Sequence, residues 1–386
     1  MSSCRKVGLH AAATSVFILG APRGRNARNV ILEFPHAFPA DSAERRLPDV
    51  VHARALLNGY SAPLDALFAR RRAAWAGLIE GSGDRALLER TEAAVCLAYA
   101  RLALRHGHLG NDFHAYHNEG HILDICAGRI DRVVAASGLN AMSLRDWCAL
   151  MLFGAGHDLR QREAPQLAAG VGANERASIE ETHRILDVCG FSRERDLDFY
   201  LATELMISGS TFDATPPPGG YQYNAADLVQ SGGALAATLD RALDEHDPGW
   251  RVDARRVNAY RLALIAADLD TANVAESFEK FASSAENLCR EREMLSGRSL
   301  DAGESALPAL GFLTHGQDYF FFELHRFHSE PGRLAFEAGK QANAAKLKAL
   351  CMGVRARIAL SGSPVNGEQV IAVYRQALAD LLAPET

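Results

Sequence analysis

From about residue 64 onward, apolar residues recur at helical intervals, and this periodicity restricts the fold more than any other feature of the 386-residue chain. Val95, Tyr99 and Leu102, for example, fall on one helix face because steps of four and three residues return to the same side. The same pattern predicts further helices over residues 144–153, 174–189, 193–208, 254–267, 271–295, 332–360 and 366–383. No strand is predicted after residue 50, so the body of the chain is expected to be all-α.

Two stretches depart from this helical pattern. Residues 1–60 are predicted to be an N-terminal extension, either disordered or carrying a small β-hairpin from the β-prone runs 16–19 and 30–34. Residues 61–386 are predicted to form one all-helical domain. Within it, residues 209–234 contain three consecutive prolines and predict an irregular insertion, either a lid over a pocket or a surface loop.

The composition argues against several kinds of partner. A formal net charge of −6 disfavours both a nucleic-acid groove and an anionic membrane surface. No apolar run approaches the roughly 20 residues of a membrane-spanning helix. The seven cysteines include no Cys-x-x-Cys pair, which is typical of reduced thiols. The arginine-rich N-terminus lacks the apolar core of a targeting peptide, so a cytoplasmic protein is expected.

The stretch 116–124, of sequence YHNEGHILD, is the first that can carry chemistry. His117, His121 and Asp124 are spaced by four and three residues, which places them on one face if the stretch is helical. Imidazoles at this spacing can share a metal, or divide the work between a metal ligand and a proton donor. The spacing also fits a solvated helix face with two unrelated histidines. Asn118 is expected to cap or brace the loop.

Two later positions offer partners for these histidines. His157 and Asp158 follow an apolar helix and can aim a nitrogen and an oxygen at one ion. Asp268 ends another apolar helix, where a buried carboxylate needs a partner or a metal. A set of two nitrogens and two oxygens suits zinc, iron or manganese. The predicted ligand set comprises His121, His157, Asp158 and Asp268.

These motifs resemble those of a known family. A His-Asp pair followed by a distant Asp on a helical body resembles the HD-domain metal-dependent phosphohydrolases. More narrowly, Tyr-His-Asn-x-x-His-x-x-Asp from residue 116 resembles the signature of the class I 3′,5′-cyclic nucleotide phosphodiesterases. The resemblance covers residues 90–330, in the family's order. The later similar segments are Ser178-x-x-Glu181-x-His183, Leu201-Ala202-Thr203-Glu204, Ala267-Asp268-Leu269 and Gln317-x-x-Phe320.

The resemblance implies two divalent metal ions. The predicted ligand set would hold the tight ion, which would be zinc, iron or manganese, and Asp158 would also face a second magnesium or manganese ion. His117 would protonate the leaving oxygen. Glu181 and His183 would position metal-bound water, and Asp124 would orient a histidine. The remaining histidines near these motifs are assigned no catalytic role: His106, His108, His114, His325 and His328.

The resemblance further implies a small nucleotide substrate. Gln317 would bind the purine edge and Phe320 would stack on the base, although the surrounding aromatic residues also fit a hydrophobic core. The expected reaction opens a 3′,5′-cyclic nucleotide to its 5′-monophosphate. The alternatives are an HD-type phosphomonoesterase on a non-cyclic nucleotide and a non-catalytic nucleotide sensor; a homodimer is compatible with each. One departure is Gln161, where the family has a histidine.

Overall fold

The computed structural model describes residues 37–163, 171–211 and 234–383, and within these ranges the chain is helical and has no extended strand. The all-α fold predicted from the sequence is therefore confirmed. The predicted β-hairpin lies outside the described residues, as does most of the predicted insertion. The helices are α1 (Ser42–Arg46), α2 (Val50–Leu56), α3 (Ala62–Ala74), α4 (Ser82–Arg105), α5 (Glu119–Leu123), α6 (Ile130–Ser137), α7 (Leu144–Gly156), α8 (Ala173–Val188), α9 (Leu197–Ser210), α10 (Leu239–His246), α11 (Ala254–Thr271), α12 (Phe278–Leu295), α13 (Ala306–Gly311), α14 (Gln317–Tyr319), α15 (Glu330–Ser361) and α16 (Gly367–Leu382).

Helices α7, α9 and α11 form the centre of the core. Every residue of α9 from Phe199 to Ser210 is buried. Helix α11 packs along α9, α7 packs against both, and α4 covers α7. Trp147 and Phe153 on α7 are fully buried. Burial of a large apolar side chain stabilises the folded state by roughly 1.5–3 kcal/mol, so the packing of these helices gives the site a rigid base.

The helices before residue 60 belong to the same core. Helices α1 and α2 pack on α4. Leu47, Ala53 and Leu57 are each at most 2 % exposed. Residues 42–56 are thus largely helical and packed, whereas the domain boundary near residue 60 stays a prediction.

Two glycines bring the C-terminal end of α7 close to its neighbours. A Cβ on Gly154 would lie 2.8 Å from Sγ of Cys126, and a Cβ on Gly156 would lie 2.5 Å from Oγ1 of Thr182. Glycine is therefore needed at both positions for this close approach. His157 follows directly, so packing on two sides determines its position.

Three π-helical turns interrupt the α-helices, at Asp124–Arg129, Phe312–Gly316 and Phe320–Leu324. Such turns are uncommon and occur frequently at functional sites. The first directly follows α5, which lies within the Tyr-His-Asn motif. The other two surround α14 in the aromatic-rich segment that contains Gln317 and Phe320.

The helices and cysteines of the described ranges relate to two predictions, on membrane spans and on reduced thiols. None of their helices is long and apolar enough to cross a membrane. Their six cysteines are all free thiols, and five are buried. The prediction of unpaired thiols is therefore confirmed for these six.

Candidate metal centre

Four side chains, called here the first cluster, meet at the ends of α5, α7 and α11: His121, His157, Asp158 and Asp270. Nε2 of His121 and Nε2 of His157 lie 3.2 and 3.3 Å from Oδ1 of Asp270. Nε2 of His157 also lies 2.9 Å from Oδ2 of Asp158. Tetrahedral zinc, with bonds of about 2.0–2.1 Å, separates its ligand atoms by about 3.3 Å. The four side chains could therefore hold a metal ion.

The histidine tautomers also suit a metal. Nδ1 of His157 lies 3.2 Å from the carbonyl oxygen of Phe153, so Nδ1–H donates to that oxygen and Nε2 faces the cluster. Among the described residues, none hydrogen-bonds to Nδ1 of His121. Burial lowers the pKa of His157, but Asp158 and Asp270 outweigh it and hold that pKa at about 10. A divalent cation can replace the proton that these carboxylates attract.

Arg129 holds the end of α11 where Asp270 lies. This buried guanidinium donates from Nη1 to the carbonyl oxygens of Leu269 and Asp270, at 2.8 and 2.5 Å. Its Nε donates to Oε1 of Glu276 at 3.0 Å. The last carbonyls of a helix have no partner within the helix, and a cation there complements the helix dipole. Arg129 thereby fixes the backbone that carries Asp270.

Asp268, which was predicted as a ligand, is not part of the first cluster, and Asp270 occupies the place expected for it. Its carboxylate accepts the backbone N–H groups of His328 and Ser329 at 2.7 and 2.8 Å, and the hydroxyl of Ser329 at 2.5 Å. A Cβ on Gly332 would lie 2.0 Å from Oδ2 of Asp268. Asp268 therefore anchors the start of α15. Residues two apart on a helix face different ways, which is why only one of the two aspartates reaches the histidines.

His117 lies beside the first cluster and is paired with a buried glutamate on α12. Nδ1 of His117 lies 2.6 Å from Oε1 of Glu291, and Nε2 of His117 lies 4.0 Å from Oδ2 of Asp158. Burial lowers the pKa of His117, but Glu291 and Asp158 raise it to about 9. Oε2 of Glu291 also accepts the backbone N–H groups of Tyr116 and His117, both at 2.9 Å. These contacts fix the position of His117 and favour its protonated form.

The spacing of the Tyr-His-Asn motif would place His117, His121 and Asp124 on one face of a continuous helix. In the structure, the motif does not form one continuous helix. Asn118 is the N-cap of α5, and its Oδ1 accepts the N–H of Gly120 at 2.8 Å. His117 therefore precedes the helix and His121 lies within it, with ring centroids 6.0 Å apart. Asp124 begins the π-helical turn and pairs with Nζ of Lys280 at 2.7 Å. This ion pair with Lys280 does not support the predicted role of Asp124 in orienting a histidine.

Glu181 and His183 lie in two other buried networks. Glu181 accepts from Arg105 at 3.0 Å and lies 3.4 Å from Nη1 of Arg101. Nε2 of His183 donates to the carbonyl oxygen of Tyr200 at 3.2 Å, while its Nδ1 accepts from Arg193 at 3.2 Å. These partners orient Glu181 and His183 away from the first cluster. Neither side chain contacts the first cluster.

Gln161, Gln317 and Phe320 also belong to the motifs singled out in the sequence. Nε2 of Gln161 donates to Oδ1 of Asp158 at 2.9 Å, on the side where the second ion was predicted. Gln317 is buried, with 5 % exposed. Phe320 contacts the ring of His325, whose Nε2 lies 3.1 Å from Oγ1 of Thr271, the residue after Asp270. The aromatic segment thus adjoins the end of α11, and the purine-binding roles stay predictions.

Asp270, Arg129 and Glu291 are not among the residues predicted from the sequence. Asp270 follows the recognised Ala-Asp-Leu segment by one residue, so the two aspartates were equally plausible as ligands. Glu291 lies in the charged run Arg-Glu-Arg-Glu of α12, which is typical of a solvated face. Glu291 and Glu293 of this run are both buried, and Glu291 is the one that pairs with Nδ1 of His117. Helical periodicity was the available signal for a buried position, and it does not select between them.

No family model, curated protein or solved structure matches this chain. The first cluster and its surroundings are therefore the basis for assigning a function.

Proposed function

We propose that this protein is a metal-dependent phosphohydrolase whose preferred substrate is a 3′,5′-cyclic nucleotide. One observation carries the proposal: Nε2 of His117 lies 4.0 Å from Oδ2 of Asp158, a member of the first cluster, and Glu291 and Asp158 favour the protonated form of His117. A proton donor beside a cation site is the pair of functions that phosphoester hydrolysis needs, because charge develops on both the phosphoryl and the leaving oxygens.

The first cluster would hold the tight ion, which the donor set suggests is zinc, iron or manganese. Such an ion supplies Lewis-acid polarisation of a phosphoryl oxygen and lowers the pKa of a water molecule. A second ion, magnesium or manganese, is proposed on the Asp158 side. Gln161 holds Oδ1 of Asp158 there, so any second ion shares that oxygen with an amide donor.

The residues of this chain would supply positioning and the proton. Hydrolysis adds hydroxide to phosphorus and a proton to the ester oxygen that leaves. Nε2–H of His117 is the group placed to give that proton, while Glu291 accepts from Nδ1 and stabilises the charged imidazole. Glu291 also binds the backbone of residues 116 and 117, which keeps the donor fixed relative to the ligands.

A second candidate is a phosphohydrolase that acts on a non-cyclic nucleotide. It does not require a purine clamp, and the burial of Gln317 favours a site without one, because an amide that is only 5 % exposed presents little surface to a purine edge. This candidate uses the same ligands and the same proton donor. It differs from the first only in the substrate that is accepted.

The test is a substrate panel with matched ligand variants. Purified protein with manganese would be assayed against cyclic AMP, cyclic GMP, the 5′-monophosphates and p-nitrophenyl phosphate. Asp270→Asn should abolish the activity and Asp268→Asn should retain it. Turnover of a cyclic nucleotide supports the first candidate, and phosphate release from monophosphates alone supports the second. Metal-loaded protein with no turnover of any of these compounds would indicate a non-catalytic sensor.

A further inference from the structure

A second group of metal-binding side chains lies at the end of α4 and in the loop that follows it. One ring nitrogen each from His106 and His114, and one carboxylate oxygen of Asp112, lie within 4.8 Å of one another. Nδ1 of His106 and Nε2 of His114 lie 3.2 and 3.3 Å from Oδ2 of Asp112. These separations match the ligand spacing of about 3.3 Å in a tetrahedral zinc site.

His106 is the observation that points to a ligand. Its side chain is 2 % exposed. Among the described residues, Nε2 has no hydrogen-bond partner, and Nδ1 faces Oδ2 of Asp112 at 3.2 Å without forming a hydrogen bond. A buried histidine normally hydrogen-bonds through at least one nitrogen, so this arrangement requires an explanation such as an ion.

The hydrogen bond on the far side of His114 fits metal ligation. Nδ1 of His114 lies 3.1 Å from Oε1 of Glu291, which leaves Nε2 facing Asp112. A carboxylate that accepts from the other nitrogen of a ligating histidine is the usual outer partner in metal sites. Oε1 of Glu291 is also the atom that accepts from Nδ1 of His117.

A cavity of about 440 Å³ gives an ion access to this group. His106 and Asp112 line it, together with Gln161, which donates to Asp158 of the first cluster. Four arginines also line it: Arg46, Arg105, Arg160 and Arg162. Arg105 is paired with Asp41 and Glu181, Arg160 with Glu163, and Arg162 with Asp112 itself. An ion must therefore share Asp112 with Arg162, and a carboxylate oxygen has the lone pairs for both.

We propose that His106, Asp112 and His114 form a second metal site, called here the second cluster, which takes a divalent transition ion such as zinc. Three protein ligands leave a fourth position for water or a small anion. The site is separate from the first cluster, yet Glu291 pairs with both His114 and His117, which lies beside the first cluster. Gln161, which donates to Asp158, lines the same cavity as His106 and Asp112. An ion on the second cluster would fix Nδ1–H of His114 on the glutamate that also holds His117.

Zinc binding itself tests the proposal, with no need for activity. A His157→Asn/Asp270→Asn background would remove the first cluster; after chelator dialysis, its zinc content and its visible spectrum with cobalt would be measured. The background should bind one zinc per chain. Adding His106→Gln should weaken that binding about 100-fold or more, and Glu291→Gln about 10–100-fold, as loss of an outer partner does. The exposed His52→Gln is the matched control and should change nothing.

The proposal is wrong if the background binds no zinc at concentrations that fill the wild type, or if binding survives His106→Gln. Asp112→Asn, at a half-exposed side chain, covers the case in which the buried variant does not fold; folding would be checked by circular dichroism. Because metal content is the readout, an inactive protein leaves this test unaffected. Failure of the proposed function is thus distinguishable from failure of the second site.

Discussion

Asp268 and Asp270 stand two residues apart on α11, and their carboxylates serve different parts of the molecule. Asp270 faces His121 and His157, whereas Asp268 accepts two backbone N–H groups at the start of α15. The same short segment therefore contributes to the metal centre on one side and to the fold on the other.

This division predicts opposite effects of two alanine substitutions. Asp270→Ala should lose the ion of the first cluster and keep most of its stability. Asp268→Ala should keep that ion and lose stability by about 1–3 kcal/mol, because two buried N–H groups lose their acceptor. Metal content per chain and urea unfolding in chelator measure the two effects. Loss of the ion from both variants, with equal stability, would contradict the division.

The sequence predicted the helices and site residues whose positions one local pattern determines. Helical periodicity predicted α7 and α11, and apolar runs ending in polar residues marked His157 and the end of α11. Asp268 and Asp270 both satisfy that pattern, and only the rotation of the helix against α15 selects between them. Glu291 is 174 residues from His117, and nothing local indicates which acid of α12 turns inward.

Gln161 should strengthen metal binding without being a ligand. Its amide donates to Oδ1 of Asp158 and orients Oδ2 towards His157. Gln161→Ala should therefore lower zinc affinity of the first cluster about 10–100-fold, as is typical when an outer partner is removed. Competition with a fluorescent chelator measures the affinity. The exposed Gln376→Ala serves as control, and equal affinity in both variants would exclude this role for Gln161.

His183 should make the protein less stable in acid. Burial, together with Arg193, lowers the pKa of His183 to about 3, below its unfolded value of about 6.5. Between these values the unfolded chain binds a proton that the folded chain does not. The stability is therefore full above pH 6.5 and falls as the pH drops, by up to about 1.4 kcal/mol per pH unit from this group.

His183→Gln keeps an amide donor for Tyr200 and removes the titrating group. Unfolding free energies of both proteins would be measured in urea from pH 8 to pH 4.5. The difference between wild type and variant should shrink as the pH falls below 6.5. A constant difference over this range would show that His183 titrates alike in the folded and unfolded chains.

The pair of His117 and Glu291 predicts how the proposed hydrolysis depends on pH. His117→Ala should keep the ion of the first cluster and lose about 10²–10⁴ in turnover, the usual contribution of a general acid. A proton donor works below its pKa, so activity should fall as the pH rises through the pKa of His117, which Glu291 raises. Glu291→Gln removes that charge and should move the alkaline limb of kcat to lower pH.

The exposed His108→Ala, in the same loop, is the control and should leave the profile unchanged. Loss of the first-cluster ion in His117→Ala would make His117 a ligand, and an unmoved limb in Glu291→Gln would assign that limb to another group.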